Sequence, residues 1–197
     1  MDKLSKKIIA QLNTSGAIEE EDREVYEYSL NILLMGVFHT LTVLLIGFLF
    51  GMFIESVVLF TSFFLARKFA GGFHAPKHWQ CYLFTIATVS GALLLARVIL
   101  LQGDVFFYVA LAVPGLIIFL LAPIEHPNKP LSAKEKKIYR LISWALCVAL
   151  VGISLVMFHW VSRSIGMAVG MGLVLCAFAL VLAMAEKLLI KAKNAKR

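Results

Sequence analysis

One short stretch, RKFAGGFHAPKHWQC from Arg67 to Cys81, places a cysteine, two histidines and three basic side chains between two long apolar runs. A thiol beside an imidazole is a nucleophile beside its base, and such a pair forms an acyl-thioester with a peptide or ester substrate. Cys81 begins the second apolar run, where the positive end of a helix dipole and nearby Lys77 favour the thiolate. The stretch therefore indicates a thiol active site, and the alternative is a tight loop with polar histidines.

Two histidines are candidates for the base. His78 lies three residues before Cys81 and shares its helix face if the helix begins early. His74 lies seven residues before, and seven residues of straight helix rise about 10.5 Å, too far for a hydrogen bond to sulfur. The glycines at 71–72 allow positive φ and Pro76 interrupts a helix, so a re-entrant turn would bring His74 to the sulfur. Spacing alone leaves both open and leans toward His78.

The apolar runs around this stretch indicate an integral membrane protein. Hydrophobic residues make up 60% of the 197, against about 45–50% in a soluble domain. We predict a single all-α membrane domain over 1–197, with an N-terminal segment at 1–28 that includes a short interfacial helix and a basic tail at 186–197. Its six transmembrane helices, set by apolar length, are expected at about 29–50, 52–66, 81–101, 105–122, 141–159 and 164–185.

Charge placement orients these spans. Lysine and arginine concentrate in the connections 67–80 and 123–140 and in the tail, whereas the connection around Gly51 has neither and the connection before the last span has only Arg163. Basic connections lie on the cytoplasmic side of membrane proteins. Both termini, and the candidate active site, are therefore predicted to be cytoplasmic. Three cysteines without framework spacing indicate neither a disulfide scaffold nor a zinc site.

Several spans carry residues that are unusual inside a bilayer. Glu55 and Arg97 flank neighbouring outer turns and are expected to form an ion pair, or to snorkel separately toward the interface. His39 is expected in the middle of the first span, as a proton relay or as a neutral side chain hydrogen-bonded to a neighbouring helix. Gly166 and Gly170 form a GxxxG motif, which permits close helix contact and dimerisation.

Two motifs resemble one known family. Arg67, then AGGFHA, then Cys81 seven residues after His74, is similar to the signature of the accessory gene regulator protein B family. APIEHPNKPLS at 122–132 resembles the A-P-x-E-x-x-N-x-P loop that follows the fourth span in that family. The resemblance covers about residues 1–190. It implies a bacterial membrane endopeptidase that processes a quorum-sensing propeptide.

The resemblance also implies the reaction and the residues that perform it. Cys81 is the nucleophile and His74 the base, so the family, and not the spacing, selects His74 over His78. The thiol would attack a peptide bond of a short precursor and release an acidic C-terminal tail. An internal cysteine or serine of the precursor would then capture the acyl group as a cyclic thiolactone or lactone. The residues expected to position substrate or stabilise an oxyanion are Arg67, Gly71 and Gly72.

Partners follow from charge and from the resemblance. The basic loops suit an acidic tail, although the same charges also serve as ordinary topology signals. The candidate contacts to that tail are Lys134, Lys136, Lys137 and Arg140. The resemblance implies a multi-pass protein of the bacterial plasma membrane and a homodimer. We expect no metal, no cofactor and no nucleic-acid partner.

Two other functions compete with the peptidase. A membrane transporter or exporter of a small peptide would suit six spans with Glu55, Arg97 and His39 among them, but the sequence lacks clear inverted repeats. A membrane scaffold working through GxxxG contacts would leave the cysteine and histidines of 67–81 unexplained.

Overall fold

The computed structural model describes residues 8–12, 22–72, 78–124 and 132–194. Over these ranges the chain is helical almost throughout, as predicted, and a π-helix at Met157–Val161 continues the fifth long helix. Five of the long helices, all but the second, are long and apolar enough to cross a membrane. The long helices of the described ranges are α1 (Arg23–Leu49), α2 (Phe53–Ala70), α3 (His78–Gln102), α4 (Asp104–Leu121), α5 (Ala133–Val156) and α6 (Arg163–Asn194).

Helix α2 differs from the others because charged residues lie at both of its ends. Glu55 is in its first turn, and Arg67 and Lys68 are in its last. Its 18 residues are otherwise mostly apolar, and it packs more extensively against α6 than any other pair of helices pack together. A sixth span through α2 stays a prediction, as does the orientation of the termini.

Helix α6 forms the centre of the bundle. Every residue from 166 to 173 is buried, and α6 contacts α2, α3, α4 and α5. A helix that is apolar on all sides suits such a central position. By contrast, α1 lies at the periphery, against α2 and α3.

The glycines of α6 allow this close packing within the chain. A Cβ at Gly166 would lie 2.4 Å from the backbone nitrogen of Phe158, and one at Gly170 would lie 2.8 Å from a methyl carbon of Leu111. Both glycines are buried. The interpretation of Gly166 and Gly170 as a dimerisation motif is therefore corrected, because intramolecular neighbours already occupy that face.

Glu55 and Arg97 lie at one end of the bundle but do not pair with each other. Arg97 donates a 2.9 Å hydrogen bond to the carbonyl of Phe50, and Glu55 accepts a hydrogen bond from the hydroxyl of Ser164. The expectation of an ion pair assumed that helices adjacent in sequence pack together. Helices α2 and α3 contact each other only slightly, and α2 packs chiefly on α6, so Glu55 meets the first turn of α6 instead.

We call the other end of the bundle the basic end. The segments that lie there are the last turn of α2, residues 71–72, the start of α3, residues 122–124 and the first two turns of α5. Gly71 and Ile124 form an isolated parallel β-bridge there. The rings of Phe69 and Tyr139 meet edge to face, with centroids 5.9 Å apart. The connections after α2 and α4 therefore come together at one end.

Several helices begin before the predicted spans. Helix α5 begins at Ala133, not at 141, because Ser132 and Glu135 form a capping box that satisfies backbone N–H groups outside the apolar segment. Helix α1 likewise begins at Arg23. Residues 8–12, inside the predicted interfacial helix, are helical, and Ile9 is buried.

Candidate active site

A cavity of about 510 Å³ lies at the basic end, among α1, α2, α3, α5 and α6. This volume is within the usual range for small-molecule and peptide side-chain sites. Its wall includes Arg67, Gly71, Gly72 and Cys81, four of the residues selected from the sequence. Much of the remaining wall is aromatic, through Phe60, Phe63, Phe64, Phe69 and Phe84.

Cys81 lies in the first turn of α3 and its thiol faces this cavity. The side chain is partly exposed, whereas Cys147 and Cys176 are 2% and 0% exposed. The first turn of a helix has backbone N–H groups without helical partners, and their partial positive charge favours a thiolate. Of the three cysteines, Cys81 is therefore the one whose position suits a nucleophile, and its catalytic role stays a prediction.

Arg67 brings a positive charge to the same cavity from the last turn of α2. Its guanidinium carbon lies 5.4 Å from the centroid of the Phe63 ring, a distance suited to a cation–π contact. Arg67 and Cys81 line the same cavity. The assignment of Arg67 to oxyanion stabilisation or substrate positioning stays a prediction.

The Gly71–Gly72 pair joins the two sequence motifs through their backbones. The N–H of Ile124 donates a 3.0 Å hydrogen bond to the carbonyl of Ala70. Gly71 has φ +79°, and a Cβ there would lie 2.3 Å from the carbonyl oxygen of Ile124. Gly72 has φ +137°. Glycine is required at 71 both by this conformation and by the approach of residue 124.

Parts of the predicted site lie outside the described residues. These are His74 and Pro76 with the proposed re-entrant turn, the side chain of His78, and residues 125–131 of the second motif. The assignment of His74 as the base of Cys81 therefore stays a prediction. The structure contributes a different histidine to the described cavity wall, His39 of α1.

His39 and Tyr139 are two polar aromatic residues of the cavity wall that the sequence pattern did not connect with Cys81. Hydropathy marks His39 as a polar residue inside a span but carries no information on which helix it faces. Tyr139 follows the basic start of α5 and lines the cavity. A polar aromatic residue at the start of a span is typical of a membrane interface, so its sequence signal is ambiguous.

The four basic residues selected on α5 lie beside the cavity and not in its wall. Lys134, Lys136, Lys137 and Arg140 are all exposed, and Tyr139 connects their helix to the cavity. Lys68, by contrast, does line the cavity. Among the residues that the structure describes, no three histidine, cysteine or acidic side chains are grouped so as to hold a metal ion.

Comparison with known proteins identifies the family. A family model described as Accessory gene regulator B matches residues 3–180. An AgrB-like protein of Clostridium perfringens (strain SM101 / Type A) is 26% identical over 140 residues, which cover 68% of this chain and 64% of the relative. Accessory gene regulator protein B of Staphylococcus aureus (strain MW2) is 29% identical over 100 residues, 49% of this chain and 53% of the relative.

The matched region spans less than two thirds of the length of each of these two relatives. No solved structure matches the chain. The family match includes all of the described cavity wall, from His39 to Leu175. The chain therefore belongs to the accessory gene regulator B family.

Proposed function

We propose that this protein is a membrane cysteine endopeptidase that processes a small quorum-sensing propeptide. The observation that carries the proposal is the shared cavity of Cys81, Arg67 and the Gly71–Gly72 turn, since these residues also form the motif that resembles the family signature. Membership of the accessory gene regulator B family supports the same function.

The first chemical step forms an acyl-enzyme. The thiol of Cys81 transfers its proton to His74, and the sulfur attacks the carbonyl carbon of the peptide bond that precedes the tail. Arg67 stabilises the oxyanion that develops on that carbonyl. The carbon–nitrogen bond then breaks, His74 returns the proton to the departing amine, and the precursor remains bound to Cys81 as a thioester.

The second step converts this thioester into a cyclic product. An internal cysteine or serine of the precursor attacks the acyl carbon, and Cys81 leaves as the thiol. Water competes for the same carbon and would release a linear acid instead. The aromatic wall of the cavity, formed by five phenylalanines, disfavours water and suits an apolar peptide segment, which supports cyclisation over hydrolysis.

The charges around the site support the proposed substrate and orientation. The basic end, with Arg67, Lys68 and the exposed cations of α5, attracts an acidic C-terminal tail and faces the cytoplasm of a bacterial cell under the positive-inside rule. A homodimer, which the resemblance implies, would use surfaces other than Gly166 and Gly170, because both are buried within the chain.

The test is co-expression with a precursor that carries a detectable acidic tail. Cys81→Ala is expected to abolish tail release, whereas Cys147→Ala removes a buried thiol outside the cavity wall and is expected to retain it. The acyl-enzyme should be visible as a hydroxylamine-sensitive adduct on the native protein. Tail release at the normal rate by Cys81→Ala would contradict the mechanism.

The base is tested in the same assay. His74→Ala is expected to abolish tail release and His78→Ala to leave it measurable. The opposite pattern would transfer the role to His78. Export of an uncleaved precursor by both variants would instead favour the transporter function.

A further inference from the structure

We propose that His39 is a second catalytic base, which accepts the proton of the internal nucleophile of the precursor during cyclisation. The inference rests on the proposed function, since it assigns a residue to the second step of that reaction. It assigns a role in the chemistry to α1, the peripheral helix.

The position of His39 is the first argument. It is the residue through which α1 contributes to the wall of the Cys81 cavity. Its ring meets the ring of Tyr82 edge to face, with centroids 5.8 Å apart, and Tyr82 is the residue next to Cys81. Phe38 also packs on Tyr82, with ring centroids 5.0 Å apart. These contacts hold His39 at the level of the nucleophile.

The second argument comes from comparing the ionisable side chains of the cavity wall as candidates for the base. Its described ionisable side chains are Arg67, Lys68, Cys81, Tyr139 and His39. Arginine and lysine side chains offer hydrogen-bond donors but no acceptor, a phenol is a weak base, and Cys81 holds the acyl group in this step. An imidazole is the one group in this set that accepts and returns a proton near neutral pH.

The hydroxyl groups of the cavity wall do not serve as the base in place of His39. Thr85 donates to the carbonyl of Cys81 at 3.0 Å, and Thr88 donates to the carbonyl of Phe84 at 2.7 Å. Both protons are therefore used by the backbone of α3, and a neutral hydroxyl is in any case a poor base. The imidazole of His39, in contrast, contacts the ring of Tyr82, and within the described ranges its side chain has no hydrogen bond.

Both expectations for His39, a proton relay and a neutral side chain hydrogen-bonded to a neighbouring helix, stay predictions. An ionisable side chain within a spanning helix is costly and usually marks a functional pathway. His39 is partly exposed and lines the cavity of Cys81, so we place its imidazole within reach of a bound precursor.

The proposed step balances without another reactant. The sulfur of the internal cysteine forms a bond to the acyl carbon, and its proton passes to the unprotonated nitrogen of His39. The bond between the acyl carbon and Sγ of Cys81 breaks, and His39 delivers the proton to that sulfur. With an internal serine, oxygen replaces the attacking sulfur. The enzyme ends in its starting state, with a free thiol and a neutral imidazole.

The two histidines then divide the reaction between the two halves of the precursor. His74 serves the bond to the departing tail. His39 serves the acyl half, which stays attached to Cys81 and carries the internal nucleophile. Loss of His39 should therefore impair cyclisation and leave tail release intact.

The experiment measures tail release and the ratio of cyclic to linear product separately, in the full-length protein with its precursor. His39→Phe keeps an aromatic ring against Tyr82 but removes the base. We expect tail release within about twofold of the unmodified protein and cyclic product lowered about 100-fold, a typical loss for a general base. Linear acid or persistent acyl-enzyme should replace the cyclic product.

His159→Phe is the matched control. His159 lies outside the cavity wall, at the end of the bundle near Arg163, and its Nε2 lies 3.0 Å from the hydroxyl oxygen of Tyr108. The same substitution there should leave the product ratio unchanged. His39→Gln, which keeps a polar side chain, is the second variant. Its tail release and its ratio of cyclic to linear product are measured per amount of folded protein.

Two results would overturn the inference. One is a normal ratio of cyclic to linear product in both His39 variants. The other is an equal fall of tail release and cyclisation in both variants, which would make His39 structural or place it in the first step. Neither depends on Cys81→Ala, whose continued tail release would refute the proposed function itself.

Discussion

The contact between residues 70–72 and 122–124 allows a sharp test at Gly71. A Cβ at this position would lie 2.3 Å from the carbonyl oxygen of Ile124, and the backbone has φ +79° and ψ −152°. Side-chain-bearing residues rarely adopt this conformation. Gly71→Ala therefore strains the site twice, once through the backbone and once through the steric overlap.

The magnitude follows from these two terms. The backbone conformation costs a non-glycine residue about 1–3 kcal/mol, and an extra carbon in a closely packed site costs about 1–3 kcal/mol. The hydrogen bond from Ile124 to Ala70 contributes about 0.5–1.5 kcal/mol. Since the strain exceeds the bond, we expect the segments to separate. The global free energy of unfolding should then fall by only about 1 kcal/mol, the contribution of that bond.

Activity should fall much more than stability. A displacement of about 1 Å in a positioned group costs about 100-fold in rate, and the separation of the segments moves two walls of the Cys81 cavity. We expect Gly71→Ala to lower tail release about 100-fold, at normal expression and helix content. Labelling of Cys81 by a membrane-impermeant maleimide in inverted vesicles should become faster, because the cavity opens.

The matched control is Gly91→Ala on α3, the helix that carries Cys81. A Cβ there has nothing within 4 Å, so alanine should leave tail release unchanged and stability equal or slightly higher. Tail release and labelling at normal rates in Gly71→Ala would show that the contact between Gly71 and Ile124 does not position the active site. An equal loss of activity in Gly91→Ala would do so too, since the effect would then not depend on the contact with Ile124.

Three further predictions follow from other parts of the structure. The first replaces three exposed lysines of α5, Lys134, Lys136 and Lys137, by glutamine. The KM for a precursor with an acidic tail should rise about tenfold, at about 0.5 kcal/mol per charge. High salt should abolish the difference in KM between the variant and the unmodified protein. Gly166→Ala should lower the free energy of unfolding in detergent by about 1–3 kcal/mol, because the added Cβ would meet Phe158 of the same chain. For the same reason, any dimer seen by size-exclusion chromatography should keep its share of the folded protein. Asp104→Asn should change the melting temperature little, since the ion pair with Arg163 is about half exposed and such pairs contribute about 0–1 kcal/mol; a loss above about 2 kcal/mol would contradict this.

Sequence reasoning anticipated the features that depend on local pattern. Apolar length marked the helices, and the start of the third predicted span placed Cys81 at a helix N-terminus, as observed. The two motifs identified the family that the comparisons confirm. The early start of α5 also had a local signal, because Ser132 and Glu135 have capping-box spacing, but hydropathy marks only the apolar part of a helix.

Features that depend on which helices are neighbours were not predictable in the same way. Glu55 binds Ser164 and not Arg97 because α2 packs on α6. Gly166 faces Phe158 of its own chain and not a second subunit. His39 faces the cavity of Cys81, which lies 42 residues further along the chain.

Local sequence pattern is enough to predict a helical membrane protein, the approximate positions of its helices, and a cysteine with a family motif at the start of the third helix. Tertiary structure alone decided that the two motifs meet backbone to backbone at Gly71 and Ile124, and that His39 shares the cavity of Cys81. The physical reason is that lipid is as apolar as the interior of the bundle. A spanning helix is therefore apolar on its lipid face and on its buried face alike, so its sequence shows that it spans but not which neighbour each side chain contacts.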